Sequence, residues 1–145
     1  MTFSLFQVLS FVIILVFSII LSLQDIKQLA VGTYIQWLSI FCALICNIVF
    51  NRREMWIFIL SGMIFGLLYF LVRKISKNKL GIADVWFGFF QGLFLLPQMI
   101  AVCIAIETII ALCVINKKLG KAAFPFIPFM SAGLIISYIV QEVFF

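Results

Sequence analysis

Six apolar runs, at residues 3–24, 33–50, 55–72, 84–96, 98–115 and 126–145, occupy nearly the whole chain and are joined by short polar connections. A helix needs about 20 residues to cross a hydrocarbon core about 30 Å thick, and most of these runs approach that length. The fourth is short for a full crossing, and Pro97 separates it from the fifth. Helices four and five are therefore expected to form a tight hairpin, or one of them to cross only part of the bilayer. The runs are continuously apolar and do not alternate, which argues against a membrane β-barrel. Residue balance argues against a soluble fold: 66% of residues are hydrophobic and 10% charged, against roughly 45–50% and about 25% in soluble domains. A chain of 145 residues cannot hide that much apolar surface from water. The expectation is an all-α, polytopic membrane bundle of about six transmembrane helices, with residues 1–145 forming a single transmembrane domain. The first run has no basic stretch before it and no convincing cleavage site after it, so it reads as a retained helix and not as a signal peptide.

The charge lies in the connections. With six helices, the first, third and fifth connections share one side of the membrane, and they carry Lys27, then Arg73, Lys74, Lys77 and Lys79, then Lys117, Lys118 and Lys121. The second carries Arg52 and Arg53 beside Glu54, and the fourth carries no basic residue. Basic loops stay in the cytoplasm, so the odd connections are expected there, with both termini outside it, in the inner (plasma) membrane. The net charge of +5 is then a topology signal, and no nucleic-acid partner is expected because the basic residues form no patch interleaved with aromatics. The partners expected from this plan are membrane lipids. Cys42, Cys46, Cys103 and Cys113 all lie in apolar runs, none makes a CxxC pair, and the chain has no His. No metal site and no cofactor are expected.

Only five carboxylates occur: Asp25, Glu54, Asp84, Glu107 and Glu142. Asp25 closes the first helix and Asp84 opens the fourth, which puts the only two aspartates on the same, cytoplasmic edge. Acids at membrane depth are costly and point to function. Two carboxylates crowded into one site cannot both ionise near their ordinary pKa, so one keeps a proton. The charged partner can then take a proton from water while the neutral one polarises a scissile carbonyl. Without His there is no Ser–His or Cys–His alternative, and every lysine lies in a connection. Taken singly, Asp25 also suits a solvated helix end and Asp84 a helix N-terminus, where Asp bonds early backbone N–H groups. Read together they predict an aspartic protease dyad. Glu107, in the middle of the fifth helix, is either a hydrogen-bonding group behind the acids or a partner for a polar neighbour. Glu54 and Glu142 are expected at the membrane interfaces.

The segment Lys79-Leu80-Gly81-Ile82-Ala83-Asp84-Val85 resembles the GxGD motif of the type IV prepilin peptidases, the leader peptidases of pilins, of pseudopilins in protein secretion and of archaeal flagellins. Asp25-Ile26-Lys27 is similar to that family's first motif, and Phe124-Pro125-Phe126-Ile127-Pro128-Phe129 to its proline–aromatic stretch before the last helix. The three occur in order over nearly the whole chain. The resemblance implies that Asp25 and Asp84 are catalytic. It also implies that Lys27, Gly81, Ala83, Pro125 and Pro128 bind substrate or shape the active site. The partner it implies is a prepilin- or pseudopilin-like precursor, cut between a basic leader and an apolar helix. Ala83 stands where the motif has its second glycine, and Trp86 where a lysine is frequent. The paired-cysteine domain that longer members link to methylation has no counterpart here, so the resemblance implies proteolysis and leaves N-methylation open.

Other functions fit parts of the pattern. A lipoprotein signal peptidase also uses two membrane aspartates, but on the outer side. A presenilin-like protease has Tyr before its first Asp, where this chain has Gln24. A small transporter would use Glu107 near the midplane, and a non-catalytic pilus or secretion assembly subunit would need neither aspartate.

Overall fold

The computed structural model describes residues 4–28, 32–77, 81–115 and 126–145. They form α1 (Leu5–Gln28), α2 (Thr33–Phe50), α3 (Met55–Ile75), α4 (Ile82–Gly92), α5 (Ile100–Ile115) and α6 (Ile127–Phe144), with a single 3-10 turn at Pro97–Met99 leading into α5. No strand occurs among the described residues. Five of the helices are long and apolar enough to cross a membrane, and the chain is a multi-pass membrane protein. As the short fourth run led one to expect, α4 has 11 residues, about 16 Å of helix at 1.5 Å per residue, too short to span alone. It begins at Ile82, ahead of the expected start, and stops at Gly92. The chain then turns through Leu93–Leu96, because Pro97 cannot continue a hydrogen-bonded ladder.

The bundle is built on contacts that fix the direction of each helix. Gly62 and Gly66 of α3 face Gly92 and Phe89 of α4, so those two helices run antiparallel. Ser22 and Ser131 meet at 3.0 Å, and the Gln7 amide donates to Glu142, so α1 and α6 run antiparallel as well. Gln36 reaches Ala83 and Asn47 reaches Leu93, which makes α2 and α4 parallel. The C-terminus of α1 and the N-termini of α2, α4 and α6 therefore share one end. Lys27 is exposed at that end, with Arg73, Lys74 and Lys77 at the finish of α3. Phe65, Phe87, Phe90, Leu93, Met130 and Leu134 fill the centre. Phe41, Trp56, Leu60, Leu67 and many other large apolar residues point outward, as expected of a surface whose solvent is hydrocarbon.

The turn after α4 is the least regular backbone inside the bundle. Leu93, Phe94 and Leu95 are buried, so their backbone groups have no water. Irregular backbone at membrane depth survives only where protein satisfies it. Here Asn47 Nδ2 donates to the Leu93 carbonyl at 2.9 Å, Gln141 Nε2 donates to the Phe94 carbonyl at 3.1 Å, and the Leu96 N–H donates to Gln141 Oε1 at 2.7 Å. Two side-chain amides from α2 and α6 thereby do what a continuing helix would do. Leaving a buried donor or acceptor unpaired costs about 1–3 kcal/mol. Asn47→Leu and Gln141→Leu are each expected to destabilise the folded chain by about that amount. Gln141→Leu should be the worse of the two, since it strands both a carbonyl and an N–H. Denaturant titration in detergent micelles checks both.

Candidate active site

Asp25 sits near the end of α1 and is 8% exposed. Its Oδ2 accepts the backbone N–H of Ile127 at 3.1 Å. Ile127 is the first residue of α6, and the first N–H groups of a helix have no partner within it. α1 thus supplies a carboxylate to cap α6, and the positive end of the α6 dipole faces that carboxylate. Ser22 and Ser131 meet one turn deeper and hold the same two helices together beneath the acid.

Asp84 lies in the first turn of α4, outside the five spanning helices, and is also 8% exposed. Gly81 precedes α4 as its N-cap, and its N–H donates to Asp84 Oδ2 at 3.0 Å. Burial pushes the Asp84 carboxyl up to about 7, and the nearby charge of Asp25 pushes in the same direction, against the opposing Gly81 N–H. The two acids are thus close enough to act on one another electrostatically. They belong to distant parts of the chain and reach one end of the bundle through the α1–α6 and α4–α6 packing.

The other expected residues divide. Ala83 is half-buried within α4, and its carbonyl accepts from Gln36 Nε2 at 2.6 Å. Because this position is helical, alanine serves it well and no left-handed glycine conformation is required. Lys27 is exposed in the last turn of α1. Two residues from Asp25, it projects to a different part of the helix surface. Pro128 occupies the first turn of α6, a position where proline is tolerated. Pro125 and Lys79 lie outside the described residues. Trp86 packs on Trp37 of α2 with ring centroids 4.7 Å apart, so it braces α4 against α2 on the flank of the site.

Four side-chain amides escaped the sequence reading, and all four attach to α4 or the turn after it: Gln36 and Asn47 from α2, Gln141 from α6, and Gln91 from α4 itself. A signal was present, since an amide inside an apolar run must find a partner. Gln91 Nε2 donates to the Met130 carbonyl at 2.9 Å and to Glu107. Glu107 also accepts from the Tyr69 hydroxyl and, at 3.2 Å, from the Cys103 thiol. Of the two roles left open for it, the partner of polar neighbours is therefore observed. A separate cavity of about 280 Å³ opens between α1 and α6, lined by Val8, Phe11, Tyr138 and Ile139, at the opposite end from the aspartates.

Comparison of this chain with protein-family models, with curated proteins and with solved structures finds no match.

Proposed function

We propose that this chain is a membrane aspartic endopeptidase that removes a basic leader from single-helix, prepilin-like precursors at the cytoplasmic face. The observation carrying the reading is the pair of buried aspartates held at one end of the bundle, with the charge of Asp25 acting on Asp84. The asymmetry of their surroundings gives them roles. Asp25 faces the N-terminus of α6, which favours a charged carboxylate. Burial, with the charge of Asp25, holds Asp84 up to about 7. In the resting site Asp25 is the base that takes a proton from the attacking water, and Asp84 donates its proton to the carbonyl oxygen of the scissile bond. The order of the three motif segments and the exposed basic residues beside the site support the same reading. Lys27, Arg73, Lys74 and Lys77 lie at that end, and such a basic end favours the cytoplasmic side, with both termini on the other side of a plasma membrane. The substrate helix would lie in lipid beside the bundle with its leader at this end.

The test is to incubate purified protein in lipid nanodiscs with a precursor consisting of a basic leader and one apolar helix, and to follow release of the leader. The pH dependence follows from Asp84. The general acid must be protonated, and its proton leaves as pH rises through about 7. Cleavage is therefore expected to be nearly full at pH 6 and to fall about tenfold for each unit well above 7. Stability moves the same way. The folded chain binds this proton more tightly than the unfolded chain, so folding loses support as pH rises from about 4 through 7. A rate–pH profile that stays flat to pH 9 would contradict the assignment of Asp84 as the acid.

A second reading is favoured by the same bonds: both carboxylates cap helix starts, as a non-catalytic assembly subunit could also require. Asparagine substitutions separate the two readings, because an amide oxygen still accepts an N–H but cannot perform acid–base chemistry.

A further inference from the structure

A polar cluster that the dyad does not use surrounds Glu107, which is 1% exposed. Its Oε2 accepts from Tyr69 of α3, and its Oε1 accepts from Gln91 of α4 and from Cys103, one turn earlier on α5. Gln91 passes the link on to the Met130 carbonyl of α6. One carboxylate thus ties four helices together inside the bundle. The helices are shaped around it. A Cβ on Gly133 of α6 would come within 2.3 Å of Glu107 Cγ, and a Cβ on Gly88 of α4 within 2.3 Å of the Tyr69 ring. Two helices therefore lack a side chain where the glutamate and the tyrosine enter.

We infer that Glu107 is a positioning residue for Asp84, acting through Gln91; this rests on the protease reading above. Gln91 follows Asp84 by seven residues on α4, two helical turns and about 10.5 Å further along the axis. Residues spaced by seven share a face, so the bond from Glu107 to Gln91 fixes the rotation and depth of the face that carries Asp84. α4 has special need of this. It is only 11 residues long; Gln36 holds its first turn through the Ala83 carbonyl, Asn47 and Gln141 hold the turn that follows it, and the Glu107–Gln91 bond is the tie in its last turn. Glu107 itself does not touch the reacting atoms in this account.

The test uses the full chain in nanodiscs, with Glu107→Leu, Glu107→Gln and Tyr69→Phe. Two readouts are taken: cleavage of the basic-leader precursor, resolved into kcat and KM, and backbone hydrogen exchange along α4. Misplacing a catalytic group by about 1 Å can cost on the order of 10²-fold in rate. Glu107→Leu is therefore expected to lower kcat by about 30-fold while KM stays within about twofold, and to speed exchange in α4 more than in α1 and α2. Glu107→Gln keeps a carbonyl acceptor and is expected to recover kcat to within about threefold of wild type. Tyr69→Phe removes one donor, and about a fivefold loss of kcat is expected; it decides the matter if Glu107→Leu does not fold. Unchanged kcat and unchanged α4 exchange in Glu107→Leu would overturn the inference. So would an equal loss of kcat in Glu107→Gln and Glu107→Leu with α4 exchange unaltered, since the carboxylate would then be acting chemically. If the wild-type chain cleaves nothing, the protease reading fails separately, and the exchange of α4 still shows whether Glu107 holds that helix.

Discussion

Asp84→Asn is expected to reduce precursor cleavage by about 10³-fold or more while leaving the folded bundle intact. General acid–base groups contribute roughly 10²–10⁴-fold to rate, and a dyad loses both roles when either member is lost, because each role depends on the other's charge. Asparagine is the informative replacement. Its side-chain oxygen can still accept the Gly81 N–H that Asp84 accepts at 3.0 Å. The helix end therefore survives and only the proton chemistry is removed. Asp25→Asn is expected to behave alike, because its oxygen can still accept the Ile127 N–H. Cleavage is read by mass spectrometry of the released leader, and folding by thermal melting of the same samples. If both variants melt as wild type does and still cleave at more than about a tenth of its rate, the aspartates only cap helices and the enzyme reading falls.

The largest expected effect on stability comes from Gly92→Val. A Cβ at Gly92 would lie 2.3 Å from Gly62 Cα, 2.4 Å from Gly62 N and 2.6 Å from the Ser61 carbonyl carbon. These are backbone atoms of α3, so no rotamer change relieves the clash. The two helices must separate, and α3 against α4 is the most extensive helix pair in the bundle. Close glycine contacts are a main source of helix association in lipid, where apolar burial gives little drive between helices. Overpacking a core costs about 1–3 kcal/mol when side chains can adjust, and here they cannot, so a loss of at least about 3 kcal/mol is expected. Gly88→Ala should be milder, since its Cβ meets the Tyr69 ring, which can pivot, although pivoting breaks the bond to Glu107. Denaturant titration of reconstituted protein measures both. A Gly92→Val chain as stable as wild type would show that α3 and α4 do not cross through this contact.

The helical plan was legible because lipid imposes it: a run of apolar residues at membrane depth has little choice but to close its own hydrogen bonds. The short fourth run and Pro97 already marked the place where that rule is strained, and α4 and the turn behind it lie there. What the residues did not reveal was how the strain is relieved. Asn47 and Gln141 stand in separate apolar runs, and nothing in their spacing ties them to Leu93, Phe94 and Leu96. That link exists only after three helices have packed. Asp25 and Asp84 stood out as the only aspartates and as residues of one membrane edge. Their partners Ile127 and Gly81 are backbone groups, and backbone groups leave no mark in a sequence. Ala83 shows the reverse case. Measured against the motif it departs from glycine, yet in the folded chain it is an ordinary helical residue whose carbonyl takes the Gln36 amide. Lys79 and Pro125 lie outside the described residues.

The claim at the centre of this account is that the two buried aspartates form a peptide-cleaving dyad at the cytoplasmic end of the bundle. The most direct measurement is mass spectrometry of a single-helix, basic-leader precursor after incubation at pH 6 with wild-type protein and with the Asp25→Asn, Asp84→Asn double variant, both in nanodiscs. The account predicts one new N-terminus at the junction of leader and apolar helix with the wild type, and uncut precursor with the double variant. Precursor left whole by folded wild-type protein, or cut equally by the double variant, would contradict it.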